Sequence, residues 1–131
     1  MAVDNSTINP SDEYVTLYEG NNATQANLGT ISLTTNASYN FKKTHYPNDE
    51  ARSCKINSAK KNRFIRFYDS PDGATNDDYV SIYVKKDIKL PITISSFESS
   101  FENEYLKVIY TRKNGLDGKV SRAEVSTNRP A

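Results

Sequence analysis

The feature that most constrains this chain is a short run of alternating apolar and polar residues, repeated along the sequence and separated by turn-forming residues. Alternation places the apolar side chains on one face of a pleated strand, whereas a helix needs apolar residues three and four positions apart. The runs are rich in Val, Ile, Tyr, Phe and Thr, which pack well on a pleated surface. The pattern predicts an all-β chain with strands at residues 14–19, 30–35, 38–42, 53–57, 63–69, 79–86, 92–97, 105–111 and 119–125.

Length and composition limit the classes of function. A chain of 131 residues fits one domain and can bury a core without disulfides or a structural metal. Its one cysteine, Cys54, excludes an internal disulfide, and its one histidine, His45, removes most metal and acid–base sites. The 17 basic and 16 acidic residues nearly cancel, so no strong field favours nucleic acid or anionic lipid. We expect no enzyme activity, no nucleic-acid partner and no membrane partner.

The two ends of the chain look like loose termini. Residues 1–7 lack the basic residues and apolar run of a secretory signal. No stretch approaches the roughly 18 apolar residues of a membrane helix. We therefore expect a cytoplasmic, soluble protein in which flexible ends at residues 1–12 and 126–131 enclose a domain of residues 13–125.

An internal repeat divides that domain into two halves. Residues 14–19 (YVTLYE) match residues 64–69 (FIRFYD) in residue type at nearly every position. Each segment opens a half with room for about four strands, which suits a Greek key. Two such halves predict a two-sheet β-sandwich, with key one at about 13–58, key two at about 63–111 and an extra C-terminal strand at about 119–125.

A second shared pattern closes each half. Residues 48–53 (NDEARS) and 102–107 (ENEYLK) both precede a strand-like run. Together with the Tyr-Glu and Tyr-Asp pairs that end residues 14–19 and 64–69, they resemble the βγ-crystallin family. Its Greek keys open on such a strand and close with Asn/Asp-Asn/Asp-X-X-Ser/Thr-Ser. The resemblance covers about residues 13–111 and implies a βγ-crystallin-like sandwich.

The closing signatures depart from the family pattern at the fifth position. In calcium-binding members, the paired signatures supply carbonyls, acidic or amide side chains and a fifth-position hydroxyl to the ion, an oxygen shell that Ca²⁺ prefers. Here Arg52 places a cation at that position, and Leu106 offers no donor. A guanidinium repels Ca²⁺ and can itself satisfy the carbonyls. The resemblance thus implies a degenerate calcium signature, with no cofactor bound or Ca²⁺ bound weakly, at Asn48, Asp49, Glu50, Arg52 and Ser53 and at Glu102, Asn103, Glu104 and Leu106.

Residues 76–81 (NDDYVS) also fit the closing signature. They follow residues 64–69 too closely to leave room for two intervening strands, so we assign 79–84 to the second strand of key two. The acidic residues Asp72, Asp77 and Asp78 could hold a metal, but Asp and Asn are also the residues typical of a turn, which is the favoured interpretation.

Other reactive or charged residues have simpler structural roles. His45 is expected in a surface loop, and Cys54 as a small buried residue of a strand. The basic clusters at 42–43, 60–63 and 85–86 are expected to protect sheet edges and to aid solubility. Because the chain has no tryptophan, the core should be closed by Tyr18, Phe64, Phe67 and Tyr68.

The resemblance implies a non-enzymatic structural or storage-like protein that accumulates in the cell. Lens crystallins and the abundant crystallin-like protein of fungal fruiting bodies are the comparisons. We expect a monomer that self-associates only at high concentration, and the sequence identifies no partner. Two alternatives stay open, a calcium-binding module stabilised by Ca²⁺ and a microbial toxin or protease inhibitor.

Overall fold

The computed structural model describes residues 8–129, which form ten strands after a 3-10 turn at Pro10–Asp12. The strands are β1 (Tyr14–Gly20), β2 (Thr24–Ser32), β3 (Ala37–Asn40), β4 (Ser53–Ile56), β5 (Phe64–Tyr68), β6 (Tyr79–Val84), β7 (Ile92–Ile94), β8 (Phe101–Glu102), β9 (Leu106–Thr111) and β10 (Arg122–Ser126).

The strands form two antiparallel sheets. One has four strands in the order β2-β1-β4-β7, and the other has six in the order β3-β10-β5-β6-β9-β8. Apolar residues from both sheets point into one shared core, as at Leu17 of β1, at Ala123 and Val125 of β10 and at Leu106 and Val108 of β9. The predicted all-β, two-sheet sandwich is confirmed.

Each Greek key places three strands in one sheet and its third strand in the other. In key one, β1 lies between β2 and β4, while β3 crosses to the six-stranded sheet. In key two, β5 lies between β6 and β10, while β7 crosses to the four-stranded sheet. The two keys therefore exchange their third strands, and this exchange joins the halves into one sandwich.

The strand that closes key two is β10, not the predicted strand at 105–111. β9 hydrogen-bonds to the far edge of β6, and β8 adds beyond it. The β8–β9 hairpin is an insertion between the third and fourth strands of key two. The strand predicted at 119–125 as a C-terminal extra instead holds the fourth position, paired with β5 and β3.

Strand β2 begins earlier than the predicted 30–35. Its first four residues, 24–27, are polar or small and exposed, because β2 is the outermost strand of its sheet. A strand exposed on both faces has no apolar alternation to detect. The pairing with β1 shifts near Gly29, whose φ of 117° only glycine adopts easily.

The aromatic residues divide between the core and the outer surface. Phe67 is fully buried and packs on Phe97 with ring centroids 4.7 Å apart. Phe64 and Tyr68 are also buried, but lie outside the core cluster, on the other face of β5. Tyr18 is only half-buried. Of the four aromatic residues expected to close the core, Phe67 is the one that belongs to the core cluster.

Residues 8–12, predicted as part of a loose terminus, are packed onto the domain. Ile8 is buried, and the carbonyl of Asp12 accepts hydrogen bonds from the side chains of Asn57 and Ser58. Residues 126–129, predicted as part of the other loose end, are packed as well, because Ser126 is the last residue of β10 and the N–H of Arg129 donates to the carbonyl of Asn62 at 2.7 Å. Residues 1–7 and 130–131 lie outside the described part of the chain. Between residues 8 and 129, no helix is long and apolar enough to cross a membrane. The cytoplasmic location stays a prediction.

Candidate functional site

The loops that lead into β4 and β10 lie against each other at one place in the sandwich. We call residues 48–53 and 117–122 the closing loops. The N–H of Asp49 donates to the carbonyl of Val120 at 3.1 Å, and the N–H of Gly118 donates to the carbonyl of Ala51 at 2.9 Å. Each loop thus gives one backbone donor and one acceptor to the other, as expected of two related elements around a twofold axis.

The closing loops are also tied to the opening strands in equivalent ways. The N–H of Arg52 donates to the carbonyl of Tyr18 at 2.9 Å, and that of Ser121 donates to Tyr68 at 2.8 Å. Since Tyr18 and Tyr68 are the matching residues of the internal repeat, Arg52 and Ser121 hold equivalent positions. The second signature is therefore residues 117–122 (DGKVSR).

The third strands extend the same correspondence. The N–H of Phe97 donates to the carbonyl of Arg52 at 3.2 Å, and that of Phe41 donates to Ser121 at 2.9 Å. Both phenylalanines are buried. Three independent sets of backbone hydrogen bonds therefore give the same alignment of the two closing loops.

The second position of each closing loop has a left-handed backbone. Asp49 has φ of 61° and Gly118 has φ of 78°. Aspartate tolerates this region better than most residues, and glycine adopts it without strain. A Cβ at Gly118 would lie 3.0 Å from Nη2 of Arg52. Glycine therefore provides both the turn and the room for the guanidinium.

Residues 102–107, predicted as the second signature, instead form the turn of the β8–β9 hairpin. Glu102 and Glu104 form ion pairs of 2.7 Å and 2.8 Å with the two lysines at 85 and 86. The side chain of Asn103 caps the turn by accepting from the N–H groups of Tyr105 and Leu106. Leu106 is fully buried. That assignment is wrong, because Leu106 is a core residue of β9.

The true second signature carries a weak signal in the sequence. Residues 117–122 have an acid first and a serine fifth, but Gly118 replaces the second Asn or Asp, and Arg122 the final serine. Residues 102–107 have better spacing from residues 64–69 for a key of ordinary length. The hairpin insertion moved the signature toward the C-terminus. The sequence signal for residues 117–122 is Ser121, a fifth-position serine directly before the alternating residues of β10.

The side chains at the fifth positions of both closing loops form hydrogen bonds to other groups of the protein. Arg52 Nη1 donates to the carbonyl of Glu19 at 3.1 Å. Ser121 Oγ donates to Oδ1 of Asp49 at 3.0 Å and lies 3.3 Å from the carbonyl of Lys119. One fifth position thus has a cation and the other a hydroxyl, and both make contacts within the closing loops or with the opening strand.

The first positions of the two loops differ. The carboxylate of Asp117 accepts from Ser96 Oγ at 2.6 Å, from the N–H of Phe97 at 2.9 Å and from Asn21 Nδ2 at 3.0 Å. By contrast, Oδ1 of Asn48 is buried and has no hydrogen-bond partner within the described residues. An unpaired buried carbonyl oxygen costs free energy, and Asn48 Oδ1 is the one buried side-chain oxygen or nitrogen without a partner among the described residues.

A separate group of carboxylates lies beside β5 and β6. Ligand oxygens of Asp69, Asp77 and Asp78 lie within 4.8 Å of one another. Burial, reinforced by the charge of Asp77, raises the pKa of Asp69 to about 6. Asp72, grouped with Asp77 and Asp78 in the sequence, is exposed in the preceding turn and does not join them.

Asp78 anchors the segment that follows β9. Its buried carboxylate accepts the hydroxyl of Tyr110 and the N–H groups of Lys113, Asn114 and Gly115. Burial opposes ionisation, but these hydrogen bonds outweigh it and hold the pKa of Asp78 below its usual range. The lone pairs of Asp78 are used by the protein, which favours a structural role over metal ligation.

Cys54 and His45 lie where the sequence predicted them. Cys54 is fully buried in β4, and burial raises the pKa of its thiol. His45 is exposed, with its ring 4.3 Å from the ring of Tyr46.

Comparisons with known proteins give a likeness of fold. No family model matches the sequence, and no curated protein matches it. A solved structure that resembles this one is a double mutant of a βγ-crystallin domain from Clostridium beijerinckii. It is 16% identical, with a TM-score of 0.45, and the match covers 88% of this chain and 99% of that chain. The Greek-key assignment rests on the strand order and register given above.

Proposed function

We propose that this chain is a non-enzymatic structural protein of crystallin type, whose two Greek keys stay joined without calcium. The observation that supports this proposal is the position of the Arg52 guanidinium, which donates to the carbonyl of Glu19 and lies beside Gly118 of the opposite closing loop. A permanent positive charge thus occupies the meeting place of the two loops.

The electrostatic argument follows from what a calcium ion needs. Ca²⁺ requires six to eight oxygen ligands, several of them anionic. Here Asp49 Oδ1 accepts from Ser121, while the Glu19 carbonyl accepts from Arg52. A Ca²⁺ ion that used these two oxygens would compete with both hydrogen bonds, and its double positive charge would approach the guanidinium. The internal hydrogen bonds therefore favour the calcium-free protein.

The reactive side chains support a role without catalysis. The thiol of Cys54 is fully buried, and burial raises its pKa, which keeps it protonated and unreactive. The exposed imidazole of His45 packs against the ring of Tyr46 rather than against a carboxylate. Among residues 8–129, no hydrogen bond or ion pair joins either side chain to a group that would activate a nucleophile or a general base.

Calcium titration with thermal melting tests the proposal. We expect no binding heat by isothermal titration calorimetry and the same melting temperature in calcium, magnesium and EDTA. Saturable heat in the micromolar range, together with a higher melting temperature in calcium alone, would overturn it.

The storage-like part of the proposal is tested by concentration. Sedimentation velocity should show a monomer at low concentration and weak self-association only at high concentration. A stable oligomer at micromolar concentration would contradict a freely accumulating monomer and would indicate a specific assembly.

The alternative function, a calcium-binding module, is favoured by two observations. Asn48 Oδ1 is buried and unpaired, and Ser121 places a hydroxyl at the fifth position of the corrected signature. If calcium does bind, Asn48→Ala should weaken binding at least tenfold. The matched variant Asn103→Ala, in the β8–β9 turn, should leave calcium affinity unchanged.

A further inference from the structure

A groove of about 920 Å³ lies between the segment that follows β6 and the β8–β9 turn. Four lysines line it, at 61, 85, 86 and 89, together with the apolar side chains of Leu90 and Tyr105. Neither the sandwich core nor the closing loops use these residues. These side chains therefore have no role in the core or in the closing loops.

Two of the four lysines are free to bind an external anion. Lys85 and Lys86 are paired with Glu102 and Glu104. Lys61 and Lys89 are exposed, and within residues 8–129 neither has a carboxylate within ion-pair distance. The backbone N–H of Lys61 bonds to Asp87, which fixes the base of that side chain at the groove.

Between these cations the groove presents apolar surface. Leu90 is 79% exposed, the highest value among the large apolar residues described, and Tyr105 is 36% exposed. The ammonium of Lys86 lies 5.6 Å from the centroid of the Tyr105 ring, which holds the ring at the groove. Water-exposed leucine and tyrosine beside unpaired lysines suit a ligand that combines an apolar group with negative charge.

The groove also meets the free edge of a sheet. Ile92 lines it and is the first residue of β7, the outermost strand of the four-stranded sheet. β7 pairs with β4 on one side only, and no further backbone hydrogen bond to its three residues is found within the described chain. An extended segment could run beside such an edge and bond to its main chain.

We propose that this groove binds an extended acidic segment of a partner protein, with carboxylates at Lys61 and Lys89 and an apolar side chain against Leu90 and Tyr105. This proposal is independent of the structural function given above. A membrane surface is a poorer fit, because attachment to anionic lipid takes clusters of about four to eight basic residues, and two of the groove's four lysines are already paired with glutamates.

The test is fluorescence anisotropy with a labelled, blocked pentapeptide of sequence Asp-Glu-Leu-Glu-Asp. We expect saturable binding to the full chain, weakened at least fivefold in the double variant Lys61→Glu, Lys89→Glu. The matched variant Lys42→Glu, Lys43→Glu makes the same change of net charge at exposed lysines outside the groove, and should bind as the unmodified protein does. Leu90→Ser should weaken binding several-fold without changing the melting temperature.

Three results would overturn the proposal. The first is no saturable binding at millimolar peptide. The second is equal loss in both double variants, which would indicate attraction by net charge alone. The third is groove-dependent binding to phosphatidylserine vesicles without binding to the peptide, which would assign the groove to lipid.

Discussion

Ser121 Oγ donates a hydrogen bond of 3.0 Å to Oδ1 of Asp49, across 72 residues of sequence. This bond joins the fifth position of one closing loop to the second position of the other. The backbone bonds between Asp49 and Val120 and between Gly118 and Ala51 lie on either side of it. The loops therefore form one unit, and a change in either should be felt by both halves of the sandwich.

Arg52→Ser should convert the closing loops into a calcium site. The substitution removes the guanidinium and gives both loops a fifth-position hydroxyl, since Ser121 supplies the other. We expect saturable calcium heat by calorimetry and a melting temperature that rises with calcium. In EDTA the variant should lose about 1 kcal/mol of stability, because the hydrogen bond to Glu19 is lost.

The matched control for that variant is Arg112→Ser. Arg112 is exposed and lies 3.8 Å from Glu98, whose other carboxylate oxygen accepts from the N–H of Asp117, so the control removes a cation near the closing loops that makes no hydrogen bond to them. It should change neither calcium heat nor stability measurably. If Arg52→Ser ignores calcium just as Arg112→Ser does, the two loops lack a ligand set even without the cation.

Leu106→Ser should destabilise the protein strongly, whereas Ile109→Ser should not. Both residues lie on β9, but Leu106 is fully buried and Ile109 is 42% exposed. Removing a buried leucine side chain costs about 2–5 kcal/mol, and exposed positions change stability by about 0.5 kcal/mol. Urea unfolding measures both. Equal midpoints for the two variants would contradict the place of β9 in the core.

The fold was predictable because its signal is local and repeated. Alternation marks strands such as β6 and β10, where inward residues are apolar and the strand is covered by the other sheet. The match between residues 14–19 and 64–69 then gave two halves. Strand β8, two residues long, and the polar first half of β2 carry no alternation, so sequence patterns could not reveal them.

The closing loops were only half predictable. Residues 48–53 lead into β4 at the predicted distance from the opening strand, because key one has no insertion. In key two the β8–β9 hairpin separates β7 from β10. Sequence spacing cannot distinguish a hairpin that belongs to the key from one inserted into it. The pairing of β9 with the outer edge of β6 shows that the β8–β9 hairpin is inserted into key two.

Mild acidification should stabilise the protein through Asp69. The pKa of Asp69 is raised to about 6 in the folded state, chiefly by burial and by the charge of Asp77, while an unfolded aspartate titrates near pH 4. The folded state therefore binds a proton that the unfolded state does not, so stability falls as the pH rises from 4 to 6. We expect the melting temperature to rise by a few degrees from pH 7 to pH 5.

Asp69→Asn should remove this dependence, because an amide does not titrate. Its melting temperature should be nearly constant between pH 7 and pH 5, and at pH 7 it should exceed that of the unmodified protein. Glu50→Gln, at an exposed residue of a closing loop, is the control and should keep the original profile. Parallel profiles for all three proteins would show that Asp69 does not carry the effect.

Asp78→Asn should be among the most destabilising conservative changes in this chain. Asp78 is fully buried and accepts three backbone N–H groups and the hydroxyl of Tyr110. An asparagine turns one acceptor oxygen into an N–H donor that faces other donors, so hydrogen bonds to a charged group are lost and replaced by repulsion. We expect a loss of about 3 kcal/mol in urea unfolding.

Asp72→Asn, exposed in the preceding turn, makes the same chemical change and should alter stability by about 0.5 kcal/mol or less. Hydrogen exchange adds a local readout, because the amides of Lys113, Asn114 and Gly115 should lose protection only in Asp78→Asn. Unchanged protection of those three amides would contradict the anchoring role of Asp78.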